Sequence, residues 1–419
     1  MAPGEGGSSA PDPPSRVWRL ARSSGLRRRR SKQEVRLISS RNIRDGVELA
    51  RDVVAGPPGT APLLRAGVIL SERYIGLLMR SGIGSIWIED DLGADLDIAE
   101  PLTAETRGKV HKATGTALKE ASNALRSGSG MPGAVVDSLS AVSEAMVSDL
   151  LDVPDAALVL DDLHHFDSYT HRHSVQVTVL GLLIARRIWS QEGWTDFRGT
   201  RRRDRLEQRL RKLGLGLLIH DVGKLAVPPE VLNKPGALTA EEMAVMRTHP
   251  DAGIELLRGS GLSPLVLSVV RDHHERPDGS GYPRGFSGRQ VQEFPRIAAV
   301  ADVYDAVTSE RVYKPAGSPA LGVRVIEEGA GAQFCEDVVR HFAAIVMPYP
   351  VGHELELPDG RTGVVSHVDP ESPHTPTVRV LENGSVSELV VDMSDGGEGN
   401  RTPTSAVQRP RAPVITTPP

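Results

Sequence analysis

A single cysteine, Cys335, is all the thiol chemistry in this chain of 419 residues. No intramolecular disulfide can form, and a disulfide-stapled secreted domain is excluded. Aromatic side chains are scarce, at 4%, so the cores must be built from aliphatic residues. Long apolar runs are missing too. The longest, at residues 177–185 and 213–219, fall far short of the roughly 20 residues of a membrane-spanning helix. The opening stretch MAPGEGGSSAPDPPSR lacks the apolar segment of a secretory leader. A cytoplasmic chain with no transmembrane segment is therefore expected. The formal net charge of −5 gives no whole-chain reason to expect specific nucleic acid binding.

What is present falls into blocks, and the length suits roughly two to four domains. Residues 1–35 are rich in Gly, Pro, Ser and Arg, with Arg27, Arg28, Arg29 and Arg30 in a row. They read as a basic disordered tail, weak contact with anionic lipid or nucleic acid being the alternative. Residues 36–92 read as a small α+β module with a sensory or regulatory role. Short apolar segments alternate with turns there, Ser71 is a plausible N-cap, Gly82 and Gly84 end the helix, and residues 86–88 form a closing strand. Residues 93–131 are a linker carrying a polar, Ala-rich connecting helix at 103–127.

From Val135 the pattern changes. Val135, Leu139, Val142, Met146 and Leu150 recur at helical spacing. Further helices are predicted over 174–189, 204–221, 240–249, 253–258, 264–274, 295–309 and 335–347. Thr239 followed by Glu241 and Glu242 marks one of the starts. Residues 132–346 thus predict an all-α domain, with 190–203 as a surface loop whose basic run is solvated. Residues 349–393 alternate like three or four strands, and 394–419 read as a disordered tail. The fold class is mainly α, with a small N-terminal α+β module and a small C-terminal β appendage.

The helical domain carries an unusual set of polar residues. The apolar run 213–219 ends in His220-Asp221-Val222-Gly223-Lys224. His173 lies upstream. Downstream come His249-Pro250, His273-His274-Glu275, the loop Asp278-Gly279-Ser280-Gly281-Tyr282-Pro283-Arg284-Gly285, and Asp302 and Asp305 in residues 301–306. An isolated histidine is usually a surface or satisfied core residue. Asp302 is more telling, because it sits in an almost wholly apolar helix. A buried carboxylate without a partner is very costly, so a metal or a strong ion pair is expected there. A mixed set of imidazoles and carboxylates suits Fe, Mn, Zn or Ni better than Mg or Ca. The remaining histidines are read as ordinary surface or core residues.

In order and nearly word for word, the elements HDxGK, HHExxDGxGYPxG and VADxxDA resemble the HD-GYP family, a branch of the HD metal-dependent phosphohydrolases. The resemblance covers roughly residues 132–346. It implies two divalent transition metal ions, Fe or Mn. His173, His220, Asp221 and Asp302 would hold the first. Asp221 would bridge to the second, held by His249, His273 and His274. It implies hydrolysis of cyclic di-GMP to linear pGpG, with cleavage onward to GMP open. Asp221 and Lys224 are the catalytic candidates, Lys224 as a phosphate contact. Tyr282 could stack or hydrogen-bond, and Arg284 could meet a phosphate bidentately. Arg311 and Lys314 match a basic pair in the family, Lys314 being the one expected at the scissile phosphate. The family also links the Tyr-Pro part of the loop to contacts with a protein partner, and a homodimer is a further expectation.

Two departures from the family pattern bear on this. Some members carry a Glu four residues before the first ligand His, where it helps to hold a third metal. This chain has Tyr169 there, so two ions are expected. The family's Gln-Phe-Asp-Pro element stands here as Gln333-Phe334-Cys335-Glu336. Two alternatives to the phosphodiesterase stay open: a signalling module that binds a cyclic dinucleotide or a partner without turnover, and a phosphohydrolase for another cyclic nucleotide.

Overall fold

Three separate aliphatic cores form, each from the apolar pattern of its own stretch of chain. The computed structural model describes residues 35–39, 43, 45–53, 61–81, 83, 85–93, 96, 101–151, 169–196, 198–309, 317–357, 359–382, 385–394 and 407–408.

The first core lies under a three-stranded antiparallel sheet of β1 (Val35–Ser39), β2 (Glu48–Leu49) and β3 (Ser85–Glu89), in the order β1-β3-β2. Helix α1 (Glu72–Arg80) adds Leu78 to Ile38, Leu49, Ile86 and Ile88. Ser71 takes the extended N-cap conformation, but its side chain caps nothing. The Glu72 N–H is met instead by Asp45 Oδ1 at 3.1 Å. A cap supplied from 27 residues away cannot be read from the local sequence.

The second and largest core is helical. Its long helices are α2 (Ala104–Ser127), α3 (Gly133–Leu151), α4 (Tyr169–Gln191) and α5 (Leu206–Ile219). Three short helices follow: α6 (Pro229–Leu232), α7 (Ala240–Met246) and α8 (His249–Leu256). The set closes with α9 (Pro264–Asp272), α10 (Glu293–Thr308), α11 (Pro319–Glu328) and α12 (Glu336–Ala343). Thr103 caps α2, and Gly128, in the left-handed region at φ 66°, ends it. Although read from sequence as a connector, α2 lays Val110, Ala113, Ala117, Ala121 and Ala124 into this same core. The small residues Ala298, Ala299 and Ala301 let α10 pack closely among its neighbours, so its middle is buried on nearly every side. Asp302 and Asp305 ride into the interior on that helix.

Several boundaries differ from expectation. Helix α5 stops at Ile219, and Asp221, at φ −98° and ψ 9°, opens a 3-10 turn over Val222–Ala226. His220 and Asp221 are thus presented by a helix end, not by a continuous helix. Helix α8 starts at His249, with Pro250 in its first turn, where the missing N–H has no helical partner to lose. Within the stretch read as a loop, β4 (Trp194–Thr195) pairs with β5 (Arg201–Arg202). Asp196 Oδ1 accepts from the N–H groups of Arg198 and Thr200 to make the turn. Strands of two residues are too short for alternation to reveal. Helix α11 was not foreseen either, although Ser318 caps it and Pro319 opens it.

The third core belongs to an antiparallel meander of β6 (Glu354–Glu356), β7 (Thr362–His367), β8 (Thr377–Glu382), β9 (Ser385–Val390) and β10 (Val407–Gln408). Val365, Val378, Val380 and Leu389 fill it with Tyr349 and Met393. Val407 and Gln408 fall in the stretch read as a disordered tail, yet they pair with Val390 and Leu389. No helix among the described residues is long and apolar enough to cross a membrane.

Candidate metal centre

The seven candidate ligands come from six helical elements and meet in the interior of the helical domain. His173 lies on α4, His220 ends α5 and Asp221 opens the 3-10 turn. His249 begins α8, His273 and His274 follow α9, and Asp302 sits in α10. They form two groups with mutually close ligand atoms: His173, His220 and Asp302, and Asp221, His249, His273 and His274.

Asp221 stands between the groups, with one oxygen toward each. Its Oδ2 is 3.3 Å from His173 Nε2 and 3.4 Å from His220 Nε2. Its Oδ1 is 3.5 Å from His249 Nε2 and 3.7 Å from His273 Nε2. Asp302 Oδ1 lies 3.3 Å from His173 Nε2, and Asp302 Oδ2 lies 4.0 Å from His274 Nδ1.

Four of the imidazoles are held from behind. Nδ1 of His220, His249 and His273 donates to the carbonyls of Leu217, Met246 and Val269, at 2.7, 2.8 and 2.9 Å. His173 Nδ1 donates instead to the Asp305 carboxylate at 2.6 Å, whose other oxygen is 2.8 Å from the Ser309 hydroxyl. A carbonyl or carboxylate can only accept, so each Nδ1 carries a proton, and Nε2 of His220, His249 and His273 presents a lone pair inward. Nε2 of His249 and of His273 are 3.4 Å apart. Two lone pairs facing at that distance repel unless a cation lies between them. Buried His220 Nε2 and Asp221 Oδ1 have no hydrogen-bond partner among the described residues. The donor set therefore fits divalent transition metals.

The electrostatics agree. Burial works against a charged His173, but its bonds to Asp221, Asp302 and Asp305 outweigh that and raise its pKa well above the ordinary value. Burial likewise disfavours ionised Asp221. The charges of Lys224 and His220 and the bond to His173 prevail and hold the carboxyl well below its usual range. Asp302 is also held low against burial, chiefly by His173. Burial lowers His249 to about 4 and, with the neighbouring His273, lowers His274 well below normal. Ionised carboxylates thus surround His173, while His249 and His274 stay neutral and able to ligate.

The remaining candidates lie around this centre. Lys224 Nζ is 2.5 Å from Asp221 Oδ2. Tyr282 stacks on His274, ring centroids 4.6 Å apart and 25° from parallel. Arg284, expected as a phosphate contact, is paired within the protein. Its guanidinium is bonded to the buried Asp272 and lies 4.0 Å over the Phe286 ring, and neither residue belongs to the cluster. The long-range pairing with Asp272 turns it into an anchor for the loop. Arg311 and Lys314 lie outside the described residues. Tyr169 is the first residue of α4.

Two glycines have steric reasons. A Cβ on Gly281 would lie 2.5–2.6 Å from Arg276 N, Glu275 Cα and His274 O. On Gly223 it would lie 1.9 Å from the His249 carbonyl oxygen. Bare backbone at these points brings the loop against its root and the 3-10 turn against α8.

Asp305 and Glu275 also serve the site, although neither is a candidate ligand. Asp305 follows Asp302 by three residues on one helix face, a signal that was readable. Glu275 is buried, and its two oxygens accept from the N–H groups of Arg284 and Phe286 at 2.7 and 2.8 Å. Glu275→Ala is expected to leave both donors unmet and to cost about 1–3 kcal/mol of stability. Urea unfolding would show it, and a midpoint within error of wild type would count against the clamp.

A family model described as an HD domain matches residues 200–337. A curated cyclic di-GMP phosphodiesterase from Pseudomonas aeruginosa is 34% identical over 363 residues, which is 80% of this chain and 84% of that protein. One from Thermotoga maritima is 34% identical over 178 residues, 42% of this chain and 44% of that protein. A 3'3'-cGAMP-specific phosphodiesterase from Vibrio cholerae is 44% identical over 98 residues, 23% of this chain and 19% of that protein. The chain matches most of the length of the first relative and less than half of each of the other two.

Proposed function

The chain belongs to the HD-GYP family, and from that premise we propose that it is a cytoplasmic, metal-dependent phosphodiesterase that opens cyclic di-GMP to linear pGpG, with GMP as a further product. The observation that carries this reading is the Asp221 carboxylate, set between two ligand groups with one oxygen toward each.

We assign His173, His220, Asp302 and Asp221 Oδ2 to one ion, and His249, His273, His274 and Asp221 Oδ1 to the other. Fe or Mn is the proposed metal. When bound, two such ions supply charge neutralisation at a phosphodiester and a water of lowered pKa. The residues of the chain do the rest. Asp305 and the three carbonyls fix the tautomers and aim the Nε2 atoms. Burial removes competing water. Tyr282, flat against His274, offers a surface to a nucleobase. Lys224 places a positive charge at the edge of the centre, where a phosphate oxygen gains charge, and Arg311 and Lys314 are proposed as further phosphate contacts.

Lys224→Ala is expected to keep the metal content and slow hydrolysis about 10- to 1000-fold, the size of losing one charged contact to a developing charge (roughly 2–4 kcal/mol). Collapse of the metal content would make Lys224 a structural residue instead. The activity itself is tested by anaerobic purification, metal analysis and chromatography of the products from cyclic di-GMP. Binding without turnover in the metal-loaded chain would overturn the assignment in favour of a signalling module. The likeness to a 3'3'-cGAMP-specific enzyme favours one second reading, another cyclic dinucleotide as substrate. Relative kcat/KM values decide between them.

A further inference from the structure

A cyclic dinucleotide carries two phosphodiesters on one ring, and only one can lie at the metal centre during cleavage. The other keeps its full negative charge and must pass along the rim. The cations described there are mostly committed. Lys224 is paired with Asp221, and both Arg284 and Arg271 are paired with Asp272.

Arg247 is different. It follows α7, two residues before the candidate ligand His249, and it is exposed. No carboxylate among the described residues lies within ion-pair distance of it. Its guanidinium carbon stands 5.2 Å from the centre of the Tyr282 ring, and that ring stacks on His274. The stretch 232–248 contains no buried residue, so packing does not explain where Arg247 lies. A guanidinium resting on an aromatic face keeps its N–H edge free, and that edge matches two phosphate oxygens. Arg276 is exposed as well, also without an ion pair among the described residues, and its backbone abuts Gly281 at the root of the same loop. Burial and the charges of Asp221 and Asp302 raise the Tyr282 pKa, while Arg247 and Arg276 both act against that rise. Both guanidinium fields therefore reach this ring.

We infer that Arg247, assisted by Arg276, binds the phosphodiester that is not cleaved, so that Tyr282 and Arg247 together form a subsite for the distal half of the substrate. This rests on the cyclic-dinucleotide reading of the site. It makes Arg247 a binding residue that acts on KM.

The test uses the metal-loaded full chain as wild type, Arg247→Ala, Arg247→Lys and Arg276→Ala. Cyclic di-GMP, 3'3'-cGAMP and the single phosphodiester bis(p-nitrophenyl) phosphate are the substrates. Arg247→Ala is expected to raise KM about 10- to 100-fold for both cyclic dinucleotides, with the metal content unchanged. The loss should be absent with the single phosphodiester. Arg247→Lys should recover part of it, and Arg276→Ala should show a smaller effect. An unchanged KM for cyclic di-GMP overturns the inference. So does an equal loss on bis(p-nitrophenyl) phosphate, which would place Arg247 at the cleaved group. A much larger loss for cyclic di-GMP than for 3'3'-cGAMP would mean that Arg247 reads a base. If wild type turns over neither dinucleotide, the proposed activity fails, but calorimetry with cyclic di-GMP still decides about Arg247. A Kd weakened about tenfold or more in Arg247→Ala supports the subsite, and an equal Kd or no binding refutes it.

Discussion

Asp221→Ala is expected to abolish hydrolysis and to lower the metal content of both halves of the centre. The carboxylate lies within 3.7 Å of two imidazoles of each ligand set, through Oδ2 to His173 and His220 and through Oδ1 to His249 and His273. Without it, one half keeps three imidazoles and no anion of its own, and the other keeps Asp302 alone beside two imidazoles. Neutral imidazoles in a dry interior hold a dication poorly without a carboxylate to balance charge. The rate should therefore fall well beyond the about 10²- to 10³-fold of losing a single stabilising donor. Asp302→Ala is the comparison, since its carboxylate groups with His173 and His220 and reaches the other set only at 4.0 Å from His274, and it should empty one position and spare the other. Metals per chain, counted by mass spectrometry beside a turnover assay, separate the two variants. Two ions retained in Asp221→Ala would refute the bridging assignment.

The clustering of the seven candidate residues was legible because their chemistry shows in one dimension. Asp302 stands out as a charge in an apolar helix, and burial cost alone demands a partner for it. The histidines stand in motifs whose order can be read along the chain. What could not be read depends on pairing across the fold. The pairing of Arg284 is one case, because nothing near it in sequence shows that the chain will close it onto Asp272, twelve residues back. Glu275 looked like a motif letter, since its two backbone donors become neighbours only after the loop folds over it. Asp305 differs, because its spacing from Asp302 already put both on one face. The helix carrying His220 was extended too far. The 3-10 turn that begins at Asp221 lies against α8, a contact between segments that local sequence does not show. The two-residue strands β4, β5 and β10 are below the length at which a period of two can appear.

That approach of α8 supports the last prediction, that Gly223→Ala will empty one half of the centre and leave the other loaded. The added Cβ would lie 1.9 Å from the His249 carbonyl oxygen and 2.5 Å from Gly253 N. Both are backbone atoms of α8, so no side chain can rotate away and a segment must move. The two sides do not yield equally. The 3-10 turn continues from α5, and Val222 is buried in the helical core. Helix α8 is preceded by the stretch 232–248, none of which is buried, so the start of α8 is the compliant side. His249 is the first residue of that helix, and its ring is tied to the Met246 carbonyl. It moves with the backbone and leaves Asp221 Oδ1, whereas His173, His220 and Asp302 sit on α4, α5 and α10. The overpacking should cost about 1–3 kcal/mol of stability, read by urea unfolding, and the metal count should fall toward one per chain. Loss of both ions would mean that the turn gives way and carries Asp221 with it. Two ions and wild-type turnover would show that the contact between Gly223 and His249 has no part in shaping the centre.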